Sequence, residues 1–318
     1  MTPETIIFMG TPEFSVPALR VLASQEEFHI SLVVTQPDRP KGRGKHLSFS
    51  PVKQAALELG LEVYQPETLN CEHSRKKLAS LNPDFFVVVA FGQILSQEIL
   101  DIPKVYPINI HASILPKYRG AAPIQAAIKN MDKETGVTTM VMAKGMDTGD
   151  ILLTARTPVD PEETAQDLHD RLSSMGGDLI LETLRKIHEI PLTPQDHSQA
   201  TYVTLLKKAQ GKIDWTRSGK EICAHINAMI PWPGAFTLLN GKRLIVFKAL
   251  PIKALPRGET PCLEPGTIFH MDETGIHVAA GKNAVVILEL MGSSGKRMTA
   301  DAFLRGHKID LPARFEPS

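Results

Sequence analysis

The sequence predicts an α/β protein: a doubly wound, mostly parallel sheet in the first half, then a small β-barrel. Three observations carry this. Apolar runs alternate with helical periods up to about residue 189, a proline-punctuated polar stretch follows, and short strand-like runs separated by Asn-Gly and Thr-Gly turns fill the remainder. Runs that are apolar throughout suit strands buried on both faces, and alternation of strand with helix builds parallel βαβ units.

In order, residues 5–9, 30–35, 85–91, 108–112 and 137–143 read as strands. Residues 17–24, 51–59, 74–80 and 123–129 read as helices, three of them opening on proline, whose fixed φ and missing N–H suit a first turn. Residues 165–188 read as a long helix interrupted by Gly176-Gly177. This layout is Rossmann-like. Pro191, Pro194 and the polar residues 195–201 mark a linker. Beyond it come a helix at 218–229 and strands at 235–239, 244–249, 266–270, 275–279 and 284–290, with turns at Asn240-Gly241 and Thr274-Gly275. About five such strands make an OB-fold-like barrel the economical reading. A chain of 318 residues exceeds the usual single domain. The expected domains are 1–189, a linker 190–210, and 211–318.

Cys71, Cys223 and Cys262 form no C-x-x-C pair, fit neither a disulfide framework nor a zinc site, and suit a reducing compartment. No stretch approaches the roughly 20 apolar residues of a membrane span. The apolar run at 6–9 is too short for a signal-peptide core and lacks a basic lead-in. The expectation is a soluble cytoplasmic monomer without membrane attachment. Net charge is zero, but residues 1–189 carry 19 basic and 24 acidic side chains whereas residues 211–318 carry 14 and 10. The asymmetry points to a polyanion as partner of the second half.

The turn after the first strand, M-G-T-P-E-F, lacks G-x-G-x-x-G, and no G-x-x-x-x-G-K-[ST] occurs, which disfavours dinucleotide binding and nucleotide hydrolysis. Ligands of an open α/β sheet bind beyond the carboxyl ends of its strands. Residues 10–12, 36–50 and 91–93 follow strands and His111 ends one, so all converge on that edge.

Chemistry concentrates in P-I-N-I-H-A-S-I-L-P-K-Y-R-G-A-A-P-I at 107–124 and G-M-D-T-G-D at 145–150. Asn109 and His111, two apart on a strand, share a face, with Ile108 and Ile110 behind them. Together with Asp147 they supply a carbonyl-polarising amide, a titratable imidazole and a carboxylate. Taken alone, Asn109 also reads as a turn cap, His111 as a satisfied core histidine and Asp147 as the start of an Asx turn. An aspartic protease would need two D-T-G carboxylates, and this α/β chain has one. The stretch at 37–47, P-D-R-P-K-G-R-G-K-H-L, sets Arg39, Lys41, Arg43 and Lys45 around two glycines, which suits phosphates at close approach and equally a solvated loop.

These motifs, with I-I-F-M-G-T-P-E-F, S-P-V-K, E-T-G-V-T-T-M, K-I-D-W and P-W-P, resemble the methionyl-tRNA formyltransferase family over nearly the whole chain. The N-I-H to D-T-G-D constellation is shared with the wider 10-formyltetrahydrofolate-dependent formyltransferases. The resemblance implies a formyl group passing from 10-formyltetrahydrofolate, as co-substrate and without a metal, to the α-amino group of methionyl initiator tRNA in translation initiation. It implies Asn109, His111 and Asp147 as catalytic residues. Folate would be held by Ser113, Ile114, Leu115 and Pro116, and its pterin by Ala90, Phe91 and Gly92 with the 145–147 loop. The tRNA would be held by Arg39, Lys41, Arg43 and Lys45 together with the C-terminal barrel. Where the family often has lysine after Tyr202, this chain reads V-T-L-L before Lys207. A formyltransferase for a nucleotide-linked amino sugar and a non-catalytic folate- or RNA-binding protein are the rival readings.

Overall fold

The computed structural model describes residues 2–41, 46–252, 263–293 and 295–317. Its first elements are β1 (Glu4–Gly10), α1 (Val16–Ala23), β2 (Phe28–Val34), β3 (Arg39–Lys41), β4 (His46–Ser48), α2 (Pro51–Glu58), β5 (Val63–Tyr64), α3 (Glu72–Ser80), β6 (Phe85–Val89), α4 (Gln97–Leu100) and β7 (Tyr106–His111). There follow β8 (Arg119–Gly120), α5 (Pro123–Lys129), β9 (Glu134–Val141), β10 (Ile151–Pro158), α6 (Ala165–Arg185) and β11 (Tyr202–Val203). The last are α7 (Gly219–Ala228), β12 (Ala235–Leu239), β13 (Lys242–Ile252), β14 (Thr267–Met271), β15 (Ile276–Ala279), β16 (Ala284–Met291), β17 (Arg297–Thr299), α8 (Ala300–Gly306) and β18 (Ala313–Arg314). They form two compact units, one of Met1–Pro123, Thr135–Thr157 and His169–Val203, the other of Ile124–Glu134, Pro158–Leu168 and Thr204–Ser318.

The first unit is built on a sheet of order β10-β9-β7-β6-β1-β2-β5. Strands β1, β2, β5, β6 and β7 run parallel, and β9 is antiparallel to β7. The chain winds outward from β1 through β2 to β5, then returns to place β6 on the other side of β1. That reversal makes the carboxyl ends of β1 and β6 a topological switch point, where a crevice opens.

Both faces are covered, as the unbroken apolar runs require. Ile7, Met9, Leu32, Val34, Phe86 and Val88 point into one core with Leu78 of α3 and Ile99 of α4. On the other face lies α6, continuous through Gly176-Gly177 rather than interrupted there. A side chain at Gly176 would meet Ile110 at 3.1 Å, and one at Gly177 the Pro17 backbone at 3.3 Å. The glycines let a long helix lie close to β7 and α1, a tertiary need stronger than their helix-weakening tendency of about 1 kcal/mol each. The edge strand β10 went unpredicted because residues 151–158 mix apolar with polar positions and follow the Gly-rich 145–150 run.

In the second unit β12-β13-β16-β15-β14-β18 form a sheet with β17 added beside β16, and the pairs are antiparallel. The hairpin β12–β13 closes with Leu239 opposite Lys242, so Asn240 and Gly241 are a two-residue turn, with φ of 51° and 73° as the Asn-Gly pair predicts. The sheet curls. Beyond β18, Phe315 N–H donates to Gly266 O at 2.9 Å and Glu316 N–H to Leu238 O at 2.9 Å, drawing the chain end back to β12. Inside the curl Trp215, of the K-I-D-W motif, stacks on buried Phe315 with centroids 5.1 Å apart and donates Nε1–H to Thr237 Oγ1. Strands β17 and β18 are additions to the expected set, each too short to show a period. Among the described residues no helix is long and apolar enough to cross a membrane.

Candidate active site

Strand β7 delivers Asn109 and His111 to the carboxyl edge of the first sheet. Its alternation turns Ile110 toward α6 and leaves Asn109 half-buried between its register neighbours Val88 and Met140. Among the described residues the Asn109 amide has no hydrogen-bond partner, so its N–H groups are available to a ligand. His111 is buried, with Nε2 3.0 Å from Tyr118 O. A carbonyl can only accept, so Nε2 carries a proton and Nδ1 is the nitrogen left for chemistry. Nδ1 lies 3.7 Å from Asp147 Oδ2, too far for a hydrogen bond but close enough for the carboxylate to attract positive charge formed on the ring.

Asp147 sits in the loop joining β9 to β10. The local sequence explains the conformation. Asp147 adopts φ of 52°, a region in which Asp is tolerated, and a side chain at Gly149 would fall 1.7 Å from Val141 O. The carboxylate is anchored by Gly120 N–H, which donates to Oδ2 at 2.7 Å.

Sequence reasoning missed what holds this loop. Gln195, buried within the polar stretch read as linker, donates through Nε2 to the carbonyls of Asp147 at 2.9 Å and Gly149 at 2.7 Å. Its Oε1 accepts from Arg119 Nε at 3.1 Å and Nη2 at 2.6 Å. Arg119 is also buried and donates to Tyr202 Oη, while its Nη2 lies 3.0 Å from His197 Nδ1. Among the described residues no carboxylate pairs with this guanidinium, so its charge is satisfied by neutral acceptors alone. Strand β11 runs parallel to β8 with Tyr202 opposite Arg119, bringing residues 202–203 against the segment that follows β7. Nothing in the local pattern marks Gln195, since its role depends on two partners 76 and 48 residues away.

At the switch point a cleft of about 530 Å³ is lined by Thr11, Pro12, Gln36, Arg39, Phe49, Ala90, Phe91 and Gly92, among others. Ala90 and Gly92 both have positive φ and line the cleft, whereas Phe91 is buried with the core and its carbonyl accepts from Thr11 and Gln36. Ser113 and Leu115 are buried beyond β7, with Ser113 Oγ donating to Lys117 O at 2.6 Å; Ile114 and Pro116 are half-buried. Of the expected tRNA contacts, Arg39 lines the cleft and donates to Gln36, and Lys41 ends β3, while Arg43 and Lys45 lie outside the described residues.

The base of this basic stretch is built. Strands β3 and β4 pair antiparallel, and Lys53 bonds Asp38 at 2.5 Å while Gln65 donates to its other oxygen at 2.8 Å. The Lys53 hydrogen bond, reinforced by that from Gln65, holds the Asp38 carboxyl below the usual range. A depressed carboxyl contributes stability above its unfolded value of about 3.9, and that contribution is lost as pH falls through the folded value. Asp38→Asn is therefore expected to lose less stability than the parent on acidification below about pH 4, measured by urea denaturation. Equal losses would contradict it.

The model of the formyl transferase family matches residues 4–184, and that of the formyl transferase C-terminal domain matches residues 205–308. Together they define an enzyme that transfers a formyl group. A methionyl-tRNA formyltransferase from Clostridium novyi (strain NT) is 44% identical over 309 residues, covering 96% of this chain and 98% of that protein. The chain belongs to the methionyl-tRNA formyltransferase family. In fold it resembles an N-formyltransferase from Helicobacter canadensis in complex with folinic acid and dTDP-3-aminofucose, with TM-score 0.67 and 19% identity over 90% of this chain and 99% of that one. A methionyl-tRNA formyltransferase from Clostridium thermocellum aligns at TM-score 0.56 and 19% identity, over 80% of this chain and 95% of that one.

Proposed function

We propose that this enzyme moves the formyl group of 10-formyltetrahydrofolate to the α-amino group of methionyl initiator tRNA in the cytoplasm, by direct attack through a tetrahedral intermediate, and so supplies translation initiation. The observation that carries the chemistry is the unpartnered Asn109 amide on the strand face of His111, whose Nδ1 faces Asp147 at 3.7 Å. An α-amino group with pKa near 7.7 has a usable neutral fraction at physiological pH. Its attack on the formyl carbon pushes electrons onto the carbonyl oxygen, where the Asn109 N–H stabilises the oxyanion. His111 donates there from Nδ1 when protonated, and Asp147 offsets the charge. The attacking nitrogen must lose a proton and the leaving N10 must gain one. Asp147, acting through a water, takes the first; such positioned transfer contributes about 10²–10⁴-fold. The chemistry requires neither a metal nor a covalent intermediate.

In this reading Ala90, Phe91 and Gly92 border the pterin, and Ser113, Ile114, Leu115 and Pro116 belong to the folate site. Residues 1–189 catalyse, 190–210 connect, and 211–318 bind tRNA, aided by Arg39, Lys41, Arg43 and Lys45. The protein acts as a monomer. The full-length likeness to relatives named for methionyl-tRNA favours this acceptor. A nucleotide-linked amino sugar is the second reading, motivated by the structural neighbour with dTDP-3-aminofucose.

The test supplies 10-formyltetrahydrofolate with charged initiator tRNA, elongator methionyl-tRNA and an amino-sugar nucleotide in parallel. Formylation of initiator tRNA is the expected result, and turnover of the sugar alone would refute the acceptor. Arg43→Ala should raise KM for tRNA without changing folate binding. Unchanged tRNA kinetics would remove Arg43 from the acceptor site.

A further inference from the structure

The hairpin β14–β15 in the second unit holds a group of side chains for which formyl transfer has no use. Its ladder is irregular. Ile268 pairs with Val278, but the next pair is His270 with His277, so Phe269 is an extra residue on β14. In a regular ladder His270 would follow Ile268 onto the buried face. The bulge instead turns it outward, opposite His277, with ring centroids 5.0 Å apart.

Asp272 opens the turn between the two strands. Its Oδ1 accepts from Thr274 N–H at 2.9 Å, Gly275 N–H at 3.0 Å and Thr274 Oγ1 at 2.5 Å, which fixes the carboxylate's orientation. Oδ2 then faces His270 Nε2 at 3.3 Å, and Oδ1 lies 3.2 Å from His277 Nε2. The His270 separation exceeds the 2.7–2.9 Å typical of a charge-assisted hydrogen bond, whereas His277 Nε2 makes a long hydrogen bond to Oδ1. The 3.3 Å between His270 Nε2 and Oδ2 matches the edge of a tetrahedron around zinc, which bonds of about 2.0–2.1 Å set at roughly 3.3–3.4 Å. The candidate ligand atoms of all three residues lie within 4.8 Å of one another.

We propose that His270, Asp272 and His277 form a binding site for a divalent cation of the zinc type, with the remaining coordination positions open to water. Two imidazoles and one carboxylate suit such a cation, whereas magnesium and calcium favour oxygen ligands. The turn hydrogen bonds all fall on Oδ1, so coordination through Oδ2 leaves the turn intact and takes a ligand already oriented by its surroundings. His270 is more than half exposed, which opens the site to entry from solvent. A bound cation ties the two strands across their bulge and stabilises the folded chain in proportion to its occupancy.

The experiment titrates zinc chloride into the chelator-treated full-length protein at pH 7.5, following the imidazole proton resonances of His270 and His277 together with the melting temperature. One equivalent is expected to move both resonances and raise the melting temperature, while magnesium chloride does neither. His270→Ala, an exposed substitution whose zinc-free melting temperature should equal the parent's, is expected to weaken zinc binding at this hairpin by at least about 10-fold. Asp272→Asn should do the same. The proposal is overturned if zinc leaves either resonance in place, if magnesium moves both equally, or if the variants bind with parental affinity.

Discussion

Asn109→Ala is expected to lower kcat by about 10²–10³-fold, the loss of one oxyanion donor, with little change in folate affinity. The size of the effect follows from where the amide stands. It projects from β7 with no hydrogen-bond partner among the described residues, so no hydrogen bond of the fold is lost with it. It is half-buried between β6 and β9, where a hydrogen bond to developing charge is worth more than in water. Stability should therefore stay near that of the parent while single-turnover formyl transfer collapses. Folate binding by fluorescence titration separates the two contributions. A variant retaining kcat within about threefold would exclude the amide as an oxyanion donor.

Gln195→Leu is expected to cost about 3 kcal/mol of stability and, by releasing the Asp147 loop, on the order of 10²-fold in kcat. Two effects combine. Removing Oε1 leaves the buried Arg119 guanidinium short of its nearest acceptor, and removing Nε2 frees the carbonyls of Asp147 and Gly149. Arg119→Met on the same background removes the stranded charge, so the double variant should regain stability relative to Gln195→Leu. Activity should not return, because the loop remains without its strut. Urea denaturation with kcat measurement on both variants separates the roles. Recovery of kcat in the double variant would show that Gln195 serves only to satisfy Arg119.

Much of the fold was legible because burial on two faces leaves a mark at short range. The runs at 85–89 and 6–9 are apolar throughout, and Asn240-Gly241 names its own turn. What was hidden depends on distant partners. Gly176-Gly177 looks like a break until Ile110 and Pro17 are seen against it. Of the candidate site, the spacing of Asn109 and His111 placed both on one strand face. Their approach to Asp147 depends on the β9–β10 loop, whose form follows from Gly149 pressing on the Val141 carbonyl. Gln195 carried no signal, because a glutamine beside proline and aspartate reads as solvated chain. Phe91 shows a mixed case: it borders the cleft and also joins the core.

The return of residues 195–203 onto Arg119 and the Asp147 loop sets a limit on how this chain can be divided. A fragment ended where the long helix stops, near residue 185, would keep the amide, the imidazole and the carboxylate. It would lack Gln195, Tyr202 and the hydrogen bond from Arg119 N–H to Thr201 O at 2.8 Å. Exchanging C-terminal halves between related enzymes therefore needs its junction after Val203. Placed earlier, the exchange would import a foreign strut for the Asp147 loop.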